Sequence, residues 1–213
     1  MAFCNSYNFP FLFKLIFGSD NAHSKELLLA FLNDVLQVPE DQSLVSAEIL
    51  NPIISQQDLN DKYAILDVKA KVTGYGYFNI EIQLTNQKNI HKRSLFYGSK
   101  LYEEQLGKGE DYFKLTRVVV INLLNFPFFT SDRYHSCYRL MEEYTHEAYP
   151  DLMQLHFLEM PKFVYQDAQL AIDRKDRLAK WLRFLTNEDD MRWEQMAKQD
   201  PYIKKGGGYI GSS

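Results

Sequence analysis

Residues 62–84 constrain the fold more tightly than any other stretch, because a turn signal and a two-residue alternation there can be checked against each other. Gly74 and Gly76 mark a turn. A hairpin centred on Gly74 sets Ile65 opposite Gln83, Asp67 opposite Glu81 and Lys69 opposite Asn79. In that register one face carries Leu66, Val68, Ala70, Val72, Phe78, Ile80, Ile82 and Leu84, all apolar. The other carries Asp67, Lys69, Lys71, Asn79, Glu81 and Gln83. Successive strand residues point to opposite faces, so a slip of one residue in one strand would mix the two sets. The sorting therefore selects the register.

The flanking segments extend this hairpin into a mixed sheet. Ser24 opens a run with Leu27, Leu28, Phe31, Leu32, Val35 and Leu36 at helical spacing, closed before Pro39. Residues 45–50 are rich in branched side chains and stop at Asn51-Pro52, which predicts a strand; residues 56–61 form a polar connection. Residues 90–106 predict a helix with Ile90, Ser94, Tyr97 and Leu101 along one stripe and Gly107 and Gly109 at its end. Residues 117–124 are nearly continuous apolar sequence, as in a strand buried on both faces. Strand, helix and buried strand predict a right-handed parallel crossover. An aromatic corner at 126–129, a strand at 152–158 and a helix at 174–185 with Leu178, Trp181, Leu182 and Leu185 on one stripe follow. The fold class is α/β, a mixed sheet with helices on it.

With 46% hydrophobic and 15% aromatic residues, the 213-residue chain can bury a sizeable core. The most apolar N-terminal stretch, residues 9–18, is broken by Lys14 and falls short of the ~18 residues of a membrane span. No membrane partner is expected. Cys4 and Cys137 are too few for a disulfide framework, which fits a reducing cytoplasm. The net charge of −4 gives no general attraction to nucleic acid, but Lys88, His91, Lys92, Arg93, Lys100 and Lys108 form a local basic run. A solvated helix face is the plainer reading of that run. Phosphate-binding loops, dinucleotide fingerprints, zinc-protease motifs and nucleophile elbows are all missing from the sequence.

Two carboxylates facing each other on paired strands repel, so Asp67 and Glu81 call for a compensating partner. A divalent cation between them is one solution. Mg²⁺ takes one or two carboxylates plus water and substrate oxygens, and Mn²⁺ can substitute. The main-chain carbonyl of Ile82 is a candidate third ligand, and Gln83, on the same side as Glu81, would orient water or a phosphate oxygen. Such a cation would acidify water and polarise a phosphoryl group, which is the chemistry of phosphodiester hydrolysis. Two other readings stand beside it: a solvated sheet face neutralised by Lys69 and Lys71, and a glycosidase carboxylate pair, for which Gln83 has no role.

Several segments resemble the family of recombination-promoting nucleases and transposases within the PD-(D/E)XK superfamily. The similar blocks are Phe13-Lys-Leu-Ile-Phe-Gly18, Leu29-Ala-Phe-Leu-Asn33, Asp61-Lys, Leu66-Asp-Val68, Asn79-Ile-Glu-Ile-Gln83, Arg93-Ser-Leu-Phe-Tyr97, Lys100-Leu-Tyr102, His156-Phe-Leu-Glu-Met-Pro-Lys162 and Trp181-Leu-Arg-Phe184. The resemblance implies a restriction-endonuclease-like αβββαβ core with a C-terminal α+β extension. It assigns Asp67 and Glu81 as the two metal-binding acids and sets Gln83 where many relatives carry a catalytic lysine. It further implies a Mg²⁺-dependent DNA endonuclease linked to recombination or mobile elements, with Lys69, Lys92, Arg93, Tyr97 and Lys100 toward DNA. Arg93 and Tyr97 equally suit plain helix packing. A homo-oligomer is an expected partner state. Two departures from the family pattern, Pro10 in place of an acid and Gly206-Gly-Gly-Tyr-Ile-Gly211 in place of a further helix, leave a catalytically degenerate DNA-binding or assembly protein as the alternative, with an RNA-directed nuclease a third. Residues 1–165 are expected to form the nuclease-like domain, 166–205 a helical extension and 206–213 a flexible tail.

Overall fold

The computed structural model describes Phe13, residues 16–50 and residues 68–186. The expectations for Pro10, for Asn51-Pro52, for the connection 56–61, for Asp67 and for residues 187–213 with their glycine-rich tail lie outside the described residues.

The first element described in full is α1 (Ala22–Leu36), whose N-cap is Asn21: its side-chain oxygen accepts from the Ser24 amide at 2.9 Å. Ser24, read from the sequence as the opening residue, lies inside the first turn and is buried. Gln37 ends the helix in the left-handed region. Three strands follow: β1 (Ala47–Leu50), β2 (Val68–Val72) and β3 (Gly76–Gln83), paired antiparallel in turn. Val45, expected in the first strand, is exposed and precedes it. Helix α2 (Ile90–Glu103) then crosses to β4 (Arg117–Leu124), parallel to β3. The order is αβββαβ, as the family resemblance implies, and the sheet is mixed.

Beyond β4 the structure holds the expected strand near residues 152–158 and helix near 174–185, and adds one strand and one helix that patterning missed. β5 (His135–Arg139) pairs antiparallel with β6 (Met153–Glu159), which is parallel to β4, giving the order β1-β2-β3-β4-β6-β5. β5 is a half-exposed edge strand, so it carries no apolar alternation. Helices α3 (Met160–Ala168) and α4 (Arg177–Thr186) complete the described chain, and residue 166, where the extension was expected to start, lies within α3.

The hairpin register is the expected one wherever it is described: Val68 faces Ile80, Lys69 faces Asn79 and Ala70 faces Phe78. Gly74, at φ +73°, makes the turn. Gly76 has a different reason. It is the first residue of β3, at φ +147°, and a Cβ there would sit 2.1 Å from the Arg117 carbonyl oxygen of the parallel neighbour.

The sheet separates two unlike layers. On one side Val68, Ala70, Phe78, Ile80, Ile121 and Leu158 join one large apolar cluster with α1 and α4. Phe13, Ile16 and Phe17 of the first family block are buried in it, and Phe17 and Phe31 both meet Trp181 edge-on. On the other side α2 rests on two small clusters, Ile90 with Leu124 and Phe157, and Leu101 with Val118 and Val120. Gly98 lets the helix approach, since a Cβ there would lie 3.1 Å from Val120 Cγ2.

Candidate active site on the polar row of β3

Alternation along β3 sends Phe78, Ile80 and Ile82 into the large core and Tyr77, Asn79, Glu81 and Gln83 to the α2 side. The sequence reading expects that polar face to be reachable from solvent. The structure corrects this: Glu81 is 0% exposed, Asn79 1% and Gln83 5%. β3 is a central strand between β2 and β4, and α2 packs across its polar side. Toward β2 the face opens, with Lys69 half-buried and Lys71 exposed.

Glu81 is held by amides. Asn79 Nδ2 donates to its Oε1 at 3.3 Å and Gln83 Nε2 donates to its Oε2 at 3.4 Å. Both bonds are long and therefore weak. Burial pushes the Glu81 carboxyl above its usual range, against the pull of Arg93, the two amides and Lys69. Asn79 Oδ1 is buried and has no hydrogen-bond partner among the described residues.

Arg93 is the helix residue that reaches this field. Its guanidinium donates to Gln87 Oε1 at 3.5 Å, lies 5.7 Å from the Tyr97 ring centroid, and keeps a buried Nε without a partner among the described residues. Arg93, Tyr97, Lys69, Glu81 and Gln83 thus belong to one region. Lys92 is exposed and Lys100 half-buried in the last turn of α2, and no described contact joins either to Glu81. Ile82 places its side chain in the large core and its main chain in the ladder with β4, beside Leu123. The described register stops at Val68–Ile80, one step before the position that Asp67 would share with Glu81.

The sequence reading overlooked two positioning networks. Asn122 stands beside Glu81 on β4; its Oδ1 accepts from Ser94 Oγ at 2.7 Å and its Nδ2 donates to the His156 carbonyl at 3.0 Å. This fully buried bridge sets the height and rotation of α2 one residue from Arg93. Its signal was present: Asn122 interrupts an otherwise apolar strand. The second network explains the block 156–162. Buried Glu159 accepts from the amides of Phe128 and Phe129 and from Lys162 Nζ at 2.8 Å, while Lys162 also donates to the carbonyls of Phe129 and Ser131 at 2.7 and 2.6 Å. It ties down the aromatic corner, where Phe128 stacks on His91 at the start of α2.

Divalent cations are the general cofactor of PD-(D/E)XK nucleases, and the donors here fit a hard cation: a buried carboxylate steadied only by long amide bonds, beside an unused amide oxygen. Among the described residues no three His, Cys, Asp or Glu side chains converge where they could hold a metal ion. Searches of curated proteins and of solved structures found no match. No helix among the described residues is long and apolar enough to cross a membrane. A sequence model described as PD-(D/E)XK nuclease family transposase matches residues 9–207, which takes in every described strand of the sheet and the four α-helices α1 to α4. With a match of that span over an αβββαβ core, the chain belongs to the PD-(D/E)XK nuclease family transposases.

Proposed function

We propose that this protein is a divalent-metal-dependent DNA endonuclease that hydrolyses phosphodiester bonds in recombination or mobile-element chemistry. The observation that carries the reading is Glu81: a carboxylate at 0% exposure whose described hydrogen bonds are two amide donations of 3.3 and 3.4 Å. A buried carboxylate so weakly partnered is expensive as a free anion and suited to holding a cation. Asp67 and Glu81 would hold Mg²⁺ or Mn²⁺, with the Ile82 carbonyl as a third ligand. When bound, the cation supplies Lewis-acid activation of water and of the phosphoryl group.

The chain's own side chains do the rest. Gln83 orients water through its amide, and being neutral it does not take the proton. Arg93 neutralises phosphate, with Tyr97 beneath its guanidinium. Lys69, Lys92 and Lys100 add cationic contacts to the DNA backbone, which position the substrate without reading its sequence.

One observation favours a second reading. Burial raises the Glu81 carboxyl, which disfavours the charged form that a cation needs and so suits a DNA-binding or assembly protein that has lost cleavage. Plasmid nicking with MgCl₂, with MnCl₂ and with EDTA, for the wild type and for Asp67→Ala and Glu81→Ala, separates the two. Cation-dependent nicking abolished in both variants is expected. DNA binding without nicking by the wild type selects the second reading, and digestion of RNA in place of DNA redirects the substrate assignment.

A further inference from the structure

The polar row contains one residue that neither carboxylate chemistry nor packing accounts for. Asn79 lies two residues before Glu81 on the same face, with Lys69 opposite on β2 and Val120 beside it on β4. The neighbouring positions of β4 on this face, Val118 and Val120, are apolar. An apolar side chain at 79 would therefore fill the space without a polar penalty. Instead an amide is buried at 1% exposure with its donor on Glu81 and its acceptor unused among the described residues. A buried acceptor left without a donor is a destabilising arrangement unless a ligand brings the donor.

We propose that Asn79 is a positioning residue of the cation site, with Nδ2 steadying one Glu81 oxygen and Oδ1 accepting a hydrogen bond from the hydration shell of the bound cation. The inference rests on the reading of Glu81 as a cation ligand. Asn79 and Gln83 clasp the carboxylate from its two ends, one amide on each oxygen, which fixes the carboxylate plane before the cation arrives. An amide is the suitable group at 79. It offers an acceptor to water but adds no charge to a site that already brings two carboxylates to a dication. The buried Nε of Arg93, likewise unpartnered among the described residues, supplies the complementary donor for an anionic substrate oxygen.

The test uses the full chain, MnCl₂ as the probe, and calorimetry together with thermal melting, so it does not depend on cleavage. Wild type should bind Mn²⁺ and melt higher in its presence. Asn79→Leu should weaken Mn²⁺ about tenfold, the loss of roughly one hydrogen bond, while melting no lower than wild type without metal. Asn79→Asp, which keeps an acceptor oxygen but loses the amide donor to Glu81, should retain more of the Mn²⁺ affinity than Asn79→Leu. Asn79→Ala replaces the leucine variant if the latter does not fold. Wild type that is folded and binds no Mn²⁺ overturns the cation site itself. Wild type and Asn79→Leu binding Mn²⁺ alike overturn the role of Asn79 and leave the cation site standing.

Discussion

Two rows of buried polar side chains run through this sheet, and they are built on opposite terms. In the β6–β5 row one amide and two imidazoles partner one another at short range, although Asp151 Oδ1 at its end is buried without a partner among the described residues. Gln154 Nε2 donates to Asp151 Oδ2 at 2.6 Å, which leaves Gln154 Oε1 to accept from His156 Nε2 at 3.0 Å, and His156 Nδ1 then accepts from His135 Nε2 at 3.0 Å. That chain of donors requires His156 neutral, because its Nδ1 accepts while its Nε2 donates. Burial depresses both, His135 to about 4 with help from Arg133 and His156 to about 3 with help from His135. The β3 row is as deeply buried, yet its bonds are long and one acceptor is idle. On the proposed function, the short bonds of the β6–β5 row specify packing, and the long bonds and idle amide oxygen of the β3 row leave it open to a ligand.

That contrast is open to direct attack. Glu81→Ala carries the largest expected effect: cation-dependent nicking should fall by about a thousandfold or more, the scale of losing a metal-held transition state. Its metal-free melting temperature should not fall, since the variant removes a weakly partnered buried carboxyl. A variant that unfolds without metal would make the β3 row structural like its counterpart.

His156→Leu inverts the pattern. It strands His135 Nε2 and Gln154 Oε1, so denaturant unfolding should register a loss of about 2–4 kcal/mol, with nicking at a permissive temperature within about twofold of wild type. A large loss of activity in folded protein would bring the histidine row into the site.

The pH dependence of stability sharpens the comparison further. Both histidine pKa values are lower in the folded state, so below the ordinary value near 6.5 the unfolded chain takes up protons that the folded chain refuses. Stability therefore falls with acidification from pH 6.5 toward about 4 for His135 and about 3 for His156. Urea titrations at pH 6.5 and pH 5 should differ by about 3 kcal/mol from this row, roughly half from each histidine, and His156→Leu should flatten the slope. An unchanged slope would mean the imidazoles are not neutral partners.

Gln83→Ala is the mildest change. Loss of one orienting amide should reduce nicking about tenfold and leave the Mn²⁺ dependence in place; a loss as severe as that of Glu81→Ala would assign Gln83 a part in holding the cation.

Much of this was legible in residue order. The hairpin centred on Gly74 follows from alternation, because a period of two leaves one register that keeps Val68, Ala70, Phe78 and Ile80 on one face. The β4 span follows from a continuous apolar run, and the αβββαβ order from the two together with α1 and α2. β5 was illegible because edge strands answer to solvent, and α3 because a nine-residue helix begun by Met160-Pro161 shows little periodicity.

Local alternation by itself determined that Asn79, Glu81 and Gln83 share a face, since strand geometry admits no other outcome. Whether that face meets water or a helix depends on where α2 lands after the crossover, and that is decided by Gly98 against Val120 and by Ser94 on Asn122, contacts between residues remote in the chain. The tertiary structure alone therefore turned a polar sheet face into a buried carboxylate with amides at both ends, because burial is a property of the assembled layers and not of any one strand.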